Sequence, residues 1–390
     1  MARAVVIGAG IGGLTAAVAL QQRGWDVTVF ERAPSLEPVG SGLSVFANAI
    51  RALDTLGIGD EVRRLSAIQG EGGIRRAMSG QWLLKAAEED TSAQHGDSVV
   101  LLRRADLVDA LSARLAPDTV RLNITVTGAD PISGRVTFRS EGPEAEPASA
   151  VTDEMEADLV VAADGIHSPI RTALFPGHPG PRYSGVTAWR MLVPGEGIPG
   201  QTFETWGDGK IFGFMALAGG LAYCYGTDAV PAGGGGGDQR AELMRRFRRW
   251  HAPIPALIDA TPPENILRND VYYLPTPLPS MHRGKIALLG DAAHAMPPNM
   301  GQGGCQAIED AVVLAHVAGK DAGLAEYTAA RLERTSKIVA RSAAISRATQ
   351  IRNPLAVSLR DLGIALAWRL SPKRLTGALD EVLAWRPPTA

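Results

Sequence analysis

The stretch Ala4–Glu31, AVVIGAGIGGLTAAVALQQRGWDVTVFE, decides the fold of this 390-residue chain. Its pattern predicts a buried strand, a glycine-rich turn, a helix and a second strand that ends in an acid. Gly8 permits the tight turn, Gly10 lets a pyrophosphate approach the backbone, and Gly13 lets the helix approach the strand. Glu31 follows Gly13 by 18 residues, where a carboxylate can accept both ribose hydroxyls of an adenosine. The stretch therefore predicts a dinucleotide site in a Rossmann-like domain, without separating FAD from NAD.

A second glycine-rich corner lies in the stretch Asp291–Ala311, DAAHAMPPNMGQGGCQAIEDA. The apolar run Lys285–Gly290 before it predicts a buried strand with a carboxylate, Asp291, at its end. A pair of prolines then interrupts regular structure, and a helical pattern begins at Gln306. The glycines of the intervening loop are Gly301, Gly303 and Gly304. Such a loop at a helix N-terminus brings backbone N–H groups and a positive dipole end towards an anion or a flat ring.

A third predicted strand, Asp158–Ala163, also ends in a carboxylate, Asp164, which Gly165 follows. The two carboxylate-tipped strands and the two glycine corners are expected to converge on one ligand, because ligands of open α/β sheets bind at the carboxyl ends of the strands.

Residues 182–230 consist of short aromatic strands separated by glycine turns, which predicts an antiparallel sheet in a second domain. The predicted strands are Tyr183–Val193, Thr202–Trp206, Lys210–Leu217 and Leu221–Thr227. Further along, Pro253–Pro279 is predicted to be irregular, proline-rich chain, residues 305–346 to be helical, and Leu355–Leu370 to be an amphipathic helix. Two polar turns are predicted at Pro38–Gly42 and at Ser140–Thr152.

Composition and charge exclude several classes of protein. The net charge of −2 provides no overall field that would recruit nucleic acid. The two cysteines, Cys224 and Cys305, lack metal-binding spacing, so we expect no metal site and a reducing, cytoplasmic environment. The N-terminus does not have the pattern of a signal peptide, and no apolar run of about 18 residues predicts a membrane span.

The three motifs together resemble the single-component FAD-dependent aromatic monooxygenases, which are similar to para-hydroxybenzoate hydroxylase. The resemblance covers most of residues 1–345, and the run HAMPPNMGQGGCQAIEDA is most similar to salicylate- and urate-hydroxylase-like enzymes and zeaxanthin epoxidases. It implies an enzyme that uses FAD, NADPH or NADH, and molecular oxygen to hydroxylate or epoxidise a small molecule through a flavin C4a-hydroperoxide. Residues 346–390 match only loosely.

The implied fold is α/β, with a Rossmann-like FAD-binding domain, a second domain built on an antiparallel sheet, and C-terminal helices. The FAD-binding domain is expected to be discontinuous, comprising residues 1–70, 99–174 and 276–345. The substrate domain is expected at residues 71–98 and 175–275, and the C-terminal helical segment at 346–390.

The resemblance also implies roles for individual residues in binding FAD. The glycine turn would hold the pyrophosphate, Glu31 the ribose, Asp164 would lie near the diphosphate groove, and Asp291 would bind the ribityl–pyrophosphate part. The backbone of Val126 would face the adenine, and the loop after the proline pair would line the isoalloxazine. The implied FAD-binding residues are Gly8, Gly10, Gly12, Gly13, Glu31, Arg32, Gly42, Arg104, Val126, Asp164, Asp291, Pro298, Gly301, Gly303 and Gly304.

Two residues depart from a simple assignment. Many family members carry Asn in place of Cys305, although the epoxidase-like members share the cysteine, and a small buried core residue is the favoured interpretation here. His294 could act as a base, but its place inside the glycine-loop motif favours a structural hydrogen bond.

Substrate is expected to lie against the aromatic strands, next to Pro298. Arg190 could bind a carboxylate or polarise a phenolate, or it could form an ordinary salt bridge. Tyr223 could donate a hydrogen bond to a substrate hydroxyl. Tyr225 shares a face with Tyr223 and could do the same. Further pocket candidates are Phe212 and Phe214, whose shared face could equally be core. Because Lys210 is the only charged residue of strand 210–217, the sequence favours an aromatic or polyketide-like substrate.

Other functions fit the sequence less well. An NAD-dependent dehydrogenase would not need the second cradle around Asp291, and a flavin-dependent halogenase would carry a WxWxIP motif, where this chain has Trp189-Arg-Met-Leu. A flavoprotein that binds and protects a reactive ligand with little turnover stays open, as does another kind of FAD oxidoreductase. So do a monomeric or homodimeric state and, for Leu355–Leu370, a lid, a dimer contact, a surface anchor or simple packing.

Overall fold

A computed structural model describes residues 1–36, 41–66, 72–86, 97, 99–140, 152–194 and 202–389. The strands are β1 Arg3–Ile7, β2 Asp26–Phe30, β3 Gly42–Val45, β4 Gly72–Arg76, β5 Trp82–Ala86, β6 Val100–Arg103, β7 Val120–Arg121, β8 Ile124–Ala129, β9 Arg135–Ser140, β10 Thr152–Glu156, β11 Leu159–Ala162, β12 Arg182–Pro194, β13 Thr202–Trp206, β14 Lys210–Leu217, β15 Leu221–Asp228, β16 Ile266–Tyr273, β17 His282–Arg283 and β18 Ile286–Leu288. The helices are α1 Ile11–Gln21, α2 Ala47–Asp54, α3 Gly59–Arg64, α4 Arg104–Ser112, α5 Pro169–Leu174, α6 Gln239–Phe247, α7 Ile254–Asp259, α8 Asp291–His294, α9 Gly303–Val317, α10 Gly323–Thr349, α11 Pro354–Leu370 and α12 Pro372–Leu383.

A six-stranded sheet in the order β17-β18-β11-β1-β2-β7 forms the first half of the structure. Strand β1 lies in the centre and pairs in parallel with both neighbours, so that Ile7 is opposite Ala162 on one side and Phe30 on the other. Its residues from Ala4 onwards are almost completely buried, as expected for a parallel strand covered on both faces. The register places the glycine turn and the carboxylates of Glu31 and Asp164 at one edge of the sheet.

The glycine turn after β1 leaves no room for side chains. Gly8 has φ +100°, and a Cβ atom added to Gly13 would lie 1.9 Å from the Gly8 carbonyl oxygen. Gly12 faces the other way, where an added Cβ would lie 2.6 Å from Leu289 and 3.0 Å from Ala307. Gly13 therefore lets α1 start directly against the strand, while Gly12 lets α1 pack closely on α9.

A mixed seven-stranded sheet in the order β16-β12-β15-β14-β13-β4-β5 forms the second half. All neighbouring pairs are antiparallel except β13 and β4, which run parallel. Helices α6 and α7 cover one face of this sheet. The other face carries Tyr223, which packs with Leu217 and with Leu101 of the first half.

The structure corrects one predicted segment and adds detail to two others. Pro253–Pro279 is not irregular, since it contains α7 and β16, and β16 pairs with β12 along seven positions. Residues 305–346 are helical as predicted, and they form two helices, α9 and α10, on either side of Gly319, which has φ +85°. Helix α12 lies, with α11, in the C-terminal segment that was predicted to be helical.

The remaining predicted helices and strands occur within a few residues of their expected bounds. The polar turns predicted at Pro38–Gly42 and Ser140–Thr152 lie mostly outside the described residues.

We predict that Gly13→Ala lowers the free energy of unfolding by at least about 2 kcal/mol, because the new methyl group would overlap the Gly8 carbonyl oxygen. Urea denaturation followed by circular dichroism measures the change. Gly177→Ala is the matched control, since Gly177 is exposed and its added Cβ meets no atom within 4 Å. Equal stability of the two variants would contradict the tight packing described for this turn.

Candidate active site

Three charged side chains near the ends of the strands of the six-stranded sheet indicate a cleft there. Asp291, Asp164 and Arg104 are all at least partly accessible, yet burial raises the pKa of both carboxyls and lowers the pKa of the guanidinium. The charges of Arg104 and Asp291 partly oppose the effect of burial on each other. Side chains that are accessible but desolvated are those of a cleft interior rather than of an open surface.

The cleft has the properties required to hold a polar cofactor. Among the described residues, Arg104 Nε and Asp164 Oδ1 are buried without a hydrogen-bond partner. Above the glycine turn there is open space, since a Cβ added to Gly10 would meet only Arg104 Nη2, at 3.9 Å. Buried polar atoms normally find a partner, so these two atoms and this space fit a large polar ligand such as FAD.

Glu31 links the end of β2 to the glycine turn. Its Oε2 accepts a hydrogen bond from Ala9 N at 2.8 Å, and its Oε1 accepts one from Ala33 N at 2.9 Å. Each carboxylate oxygen keeps a second lone pair for a hydroxyl group. Its neighbour Arg32 is exposed, and Val126 on β8 is partly buried.

The glycine loop before α9 packs under strand β3. Gly301 has φ +62°, and an added Cβ would lie 2.8 Å from the Phe46 ring. The Cys305 thiol lies 3.6 Å from the Ser44 carbonyl oxygen and is buried, which raises its pKa to about 12, so Cys305 is the small core residue that was expected. Helix α9 starts at Gly303 with no side-chain cap and no acid in its first turn, and its positive end therefore suits an electron-rich ring edge.

A buried ionic network fixes the corner that carries Asp291. Asp310 accepts hydrogen bonds from Gly290 N at 3.0 Å and Arg331 Nε at 2.6 Å, and its Oδ2 lies 2.5 Å from His294 Nε2. Burial alone would raise the pKa of Asp310, but the charges of His294 and Arg331 outweigh it and hold the pKa at about 2. The structural hydrogen bond predicted for His294 is confirmed.

Glu309, the preceding residue, extends this network to two other helices, α10 and α2. It pairs with Arg331 and, at 2.8 Å, with Arg334 of α10, and it accepts a hydrogen bond from Asn48 of α2 at 2.6 Å. Asn48 also donates to Gln302, at 3.1 Å, in the glycine loop. The loop is therefore held by buried polar contacts to helices that lie outside it.

Four residues form one row across the face of the seven-stranded sheet opposite α6. The strand registers place Arg190, Tyr225, Gly213 and Glu204 directly opposite one another on β12, β15, β14 and β13. Because Gly213 has no side chain, the Tyr225 ring lies across it and its hydroxyl donates to Glu204 Oε1; a Cβ on Gly213 would lie 2.1 Å from that ring. The gap in β14 therefore creates the contact between Tyr225 and Glu204.

Tyr223 lies beside this row and connects it to the cofactor side of the cleft. Its ring centroid is 5.9 Å from that of Tyr225, and a Cβ added to Gly42 of β3 would lie 2.6 Å from the Tyr223 ring. Ser44 of β3 donates to the Met215 sulfur at 3.6 Å, next to Tyr223 on the same face. The tyrosines thus stand against the strand that packs over the glycine loop.

Two of the predicted pocket residues are on the wrong face. Phe212 and Phe214 point to the side covered by α6 and α7, where Phe212 packs edge-on against Phe247 and Phe214 stacks on Phe203. The alternation of side chains along β14 correctly predicted that both residues share one face. That face is covered by α6 and α7 and forms an aromatic core. They are core residues and do not line the cleft.

Arg190 does not form the salt bridge considered as its alternative, as far as the described residues extend. Its guanidinium donates to Asn269 Oδ1 at 2.5 Å, and its charge lowers the pKa of Arg104 and acts on Tyr223. Arg190 therefore lies between the two halves of the cleft.

Sequence reasoning missed Glu204. The signal in the sequence is an acid next to Phe203 within a predicted strand of a buried sheet, where an unpaired carboxyl would be costly. Burial raises the pKa of Glu204, and the hydrogen bonds from Tyr225 and from Trp206 Nε1, the latter at 2.8 Å, only partly offset this. Glu204 is thus a desolvated carboxyl on the cleft side of the sheet.

A nucleotide-binding parallel sheet, a second glycine cradle and a mixed sheet facing both define the fold of an FAD-dependent oxidoreductase. The chain belongs to the FAD binding domain family, which matches residues 1–192 and 276–342, and it is an FAD-dependent monooxygenase. NAD(P)H is the co-substrate typical of this family.

Similar proteins agree over nearly the whole chain. Aurachin C monooxygenase/isomerase of Stigmatella aurantiaca is 39% identical over 365 residues, which cover 92% of both chains. FAD-dependent urate hydroxylase of Klebsiella pneumoniae is 34% identical over 347 residues, covering 86% of this chain and 88% of the hydroxylase. The crystal structure of Klebsiella pneumoniae HpxO complexed with FAD and uric acid superposes with a TM-score of 0.87 at 29% identity, covering 98% of this chain and 96% of HpxO.

We predict that Arg331→Met destabilises the protein by about 3–5 kcal/mol, because it leaves Glu309 and Asp310 buried without their common cation. FAD retention falls with it, since Asp310 holds Gly290. Thermal unfolding and the flavin absorbance of the purified protein measure both effects. Arg347→Met, at an exposed arginine, serves as the control and should change stability by less than about 0.5 kcal/mol.

Proposed function

We propose that FAD lies along the cleft in the arrangement that the three motifs imply. The turn from Gly8 to Gly13 would hold the pyrophosphate, Glu31 the ribose, and the backbone of Val126 would face the adenine. Arg104 and Asp164, whose buried atoms lack partners, would bond to the cofactor, and Asp291 would bind its ribityl–pyrophosphate part. Pro298 and the loop glycines Gly301, Gly303 and Gly304 would line the isoalloxazine, with Gly42 across from them.

This arrangement assigns the segments 1–70, 99–174 and 276–345 to FAD binding, and 71–98 with 175–275 to substrate binding. Bound FAD, reduced by NAD(P)H, supplies the activation of molecular oxygen. The chain itself must hold the substrate ring against the flavin and exclude water.

We propose further that the substrate is an aromatic or polyketide-like ring that carries an O–H or N–H donor, and that this ring is hydroxylated. The observation that carries this proposal is the desolvated carboxyl of Glu204 on the face that also carries an apolar cluster. In that cluster Tyr223 and Tyr225 pack with Leu101, Leu192, Met215, Leu217 and Leu221. A ring fits against such a cluster, and one charged or polar group then fixes its orientation.

Glu204 suits the role of a hydrogen-bond acceptor and base towards that donor. Tyr225 and Trp206 each occupy one lone pair of its carboxylate, and each oxygen keeps another. A raised pKa makes the carboxylate a stronger base, so it can withdraw the proton from a phenol or ring N–H. Withdrawal of the proton raises the electron density of the ring, which favours transfer of oxygen to a ring carbon.

Arg190 and Tyr223 complete the proposed substrate side. The Arg190 guanidinium lies in the same row as Glu204, at the opposite end, where it can stabilise negative charge that develops on the ring. Tyr223 stands nearest to the strand over the glycine loop and would pack on the substrate face. Tyr225 would line the pocket and would also orient Glu204 through its hydrogen bond. Binding without turnover is the less favoured function, because the relatives are named as monooxygenases.

A substrate panel tests the class. Phenols and N–H heteroaromatic compounds are each paired with the O-methyl or N-methyl analogue, and NAD(P)H consumption is measured together with product mass under ¹⁸O₂. We expect products that gain one ¹⁸O atom, with kcat/KM at least about 100-fold higher for the donors than for the methylated analogues. Equal rates for both members of each pair would rule out a donor-recognising acceptor.

We predict that Glu204→Gln lowers kcat by about 10²–10⁴-fold while FAD content stays unchanged, because the amide can accept a hydrogen bond but cannot take the proton. The acidic limb of the kcat pH profile should disappear in this variant. Asp208→Asn is the matched control, since Asp208 is an exposed acid in the turn after the same strand. Full activity with an unchanged pH profile in Glu204→Gln would refute the role of the carboxylate.

A further inference from the structure

Helix α11 presents a stripe of leucines that no part of the described chain covers. Each of these side chains is between 52% and 77% exposed. The residues of the stripe are Leu355, Leu359, Leu362, Leu366 and Leu370. At 100° per residue they fall within an arc of about 80°, along a helix of 17 residues that is about 25 Å long. Five exposed leucines in one line exceed the scattered apolar residues of an ordinary surface.

The orientation of this helix is fixed by its opposite face. Asp361 is buried and pairs with Arg360 at 2.8 Å. Arg360 also donates to the Gly207 carbonyl oxygen at 3.3 Å and lies over the Trp206 ring, 5.5 Å from its centroid. Since these contacts hold the inner face against the seven-stranded sheet, the leucine stripe cannot rotate inwards.

The chain around the stripe carries a net positive charge. Between Arg334 and Leu379 the sequence contains nine Lys or Arg residues and one acid, Asp361. Five of these cations form ion pairs, namely Arg334, Lys337, Arg341, Arg352 and Arg360. Arg347 and Arg369 are exposed and form no ion pair within the ranges that the structure describes. An apolar stripe flanked by such cations has the two features of a helix that lies in the interface of an anionic bilayer.

We infer that α11 docks this protein on an anionic lipid surface, with the leucine stripe among the acyl chains and the arginines at the headgroups. A second copy of the chain is the weaker candidate, because a two-fold interface would place the basic stretch against itself. The helix would lie on the bilayer, since no helix in the described part of the chain is long and apolar enough to cross one. Stable membrane binding generally requires two contributions. Here they would be insertion of the apolar stripe and attraction of the cations to anionic headgroups.

Docking would also orient the substrate side of the enzyme. Arg360 contacts Trp206, whose indole N–H donates to Glu204, so the bilayer would lie next to the strand that carries the substrate acceptor. This consequence, which rests on the proposed function, suits a ring substrate with an apolar chain that partitions into lipid. Docking itself requires no substrate and can be tested without one.

Co-sedimentation of the FAD-loaded protein with vesicles tests the inference. We expect at least about tenfold more binding to phosphatidylcholine vesicles that contain roughly 30% phosphatidylglycerol than to pure phosphatidylcholine, with the difference lost in high salt. The triple variant Leu359→Gln/Leu362→Gln/Leu366→Gln should lose at least about tenfold in binding. Ile132→Gln, at an apolar residue that is 85% exposed elsewhere, is the matched control and should bind like the unmodified protein.

Flavin absorbance and circular dichroism of every variant establish that the fold is kept. The inference fails if the unmodified protein does not prefer the anionic vesicles, or if the triple variant binds them equally well. It fails also if sedimentation velocity finds a dimer that the triple variant converts to monomer, without vesicle binding, since the stripe would then be a contact between two copies. Loss of turnover with the ring panel, by contrast, would leave the vesicle result untouched.

Discussion

The placement of one buried cation, Arg331, underlies the geometry of the cleft. It lies between Glu309 and Asp310 with no exposed surface, and Asp310 in turn holds the backbone N–H of Gly290. Burying three charges is costly unless their mutual attraction and hydrogen bonds compensate fully, so the position of each group is strongly constrained. That constraint fixes the corner at which β18 ends and Asp291 enters the cleft.

The same network connects parts of the chain that are far apart in sequence. Asn48 of α2 and Arg334 of α10 both bind Glu309, and Asn48 reaches the glycine loop through Gln302. Glycines and prolines offer few side-chain contacts of their own. The loop can consist largely of them because α2 and α10 hold it through the buried polar network. Close backbone on the cleft side and rigid polar contacts on the far side suit a surface for a flat cofactor.

The second sheet divides its two faces between stability and chemistry. Phe212, Phe214 and Phe247 form an aromatic core under α6 on one face. The other face turns Glu204, Tyr225 and Arg190 towards the first half of the molecule, with Gly213 providing the space in which Tyr225 reaches Glu204. Successive side chains of a strand point to opposite faces of the sheet, so β13, β14 and β15 each contribute to the core and to the proposed pocket.

The sequence by itself determined the nucleotide-binding half of the protein. The turn after β1 needs glycine at Gly8 for its positive φ and at Gly13 because a Cβ would overlap the Gly8 carbonyl oxygen. Both requirements are local, and such requirements can be recognised in the sequence. The buried strands before Asp164 and Asp291 are continuous apolar runs, so their ends were placed correctly too. Strand β16 was missed, because its pairing with β12 depends on a partner about 80 residues away.

Only the tertiary structure decided which face of the second sheet is core and which face is left for the proposed pocket. Alternation shows that Phe212 and Phe214 share a face, but the packing of α6, which lies beyond the strands in sequence, determines that this face is core. For the same reason the sequence did not identify Glu204 as a candidate site residue. Its position in line with Tyr225 and Arg190 depends on the registers of four strands. Local pattern determines which residues go together, and long-range packing determines what they face.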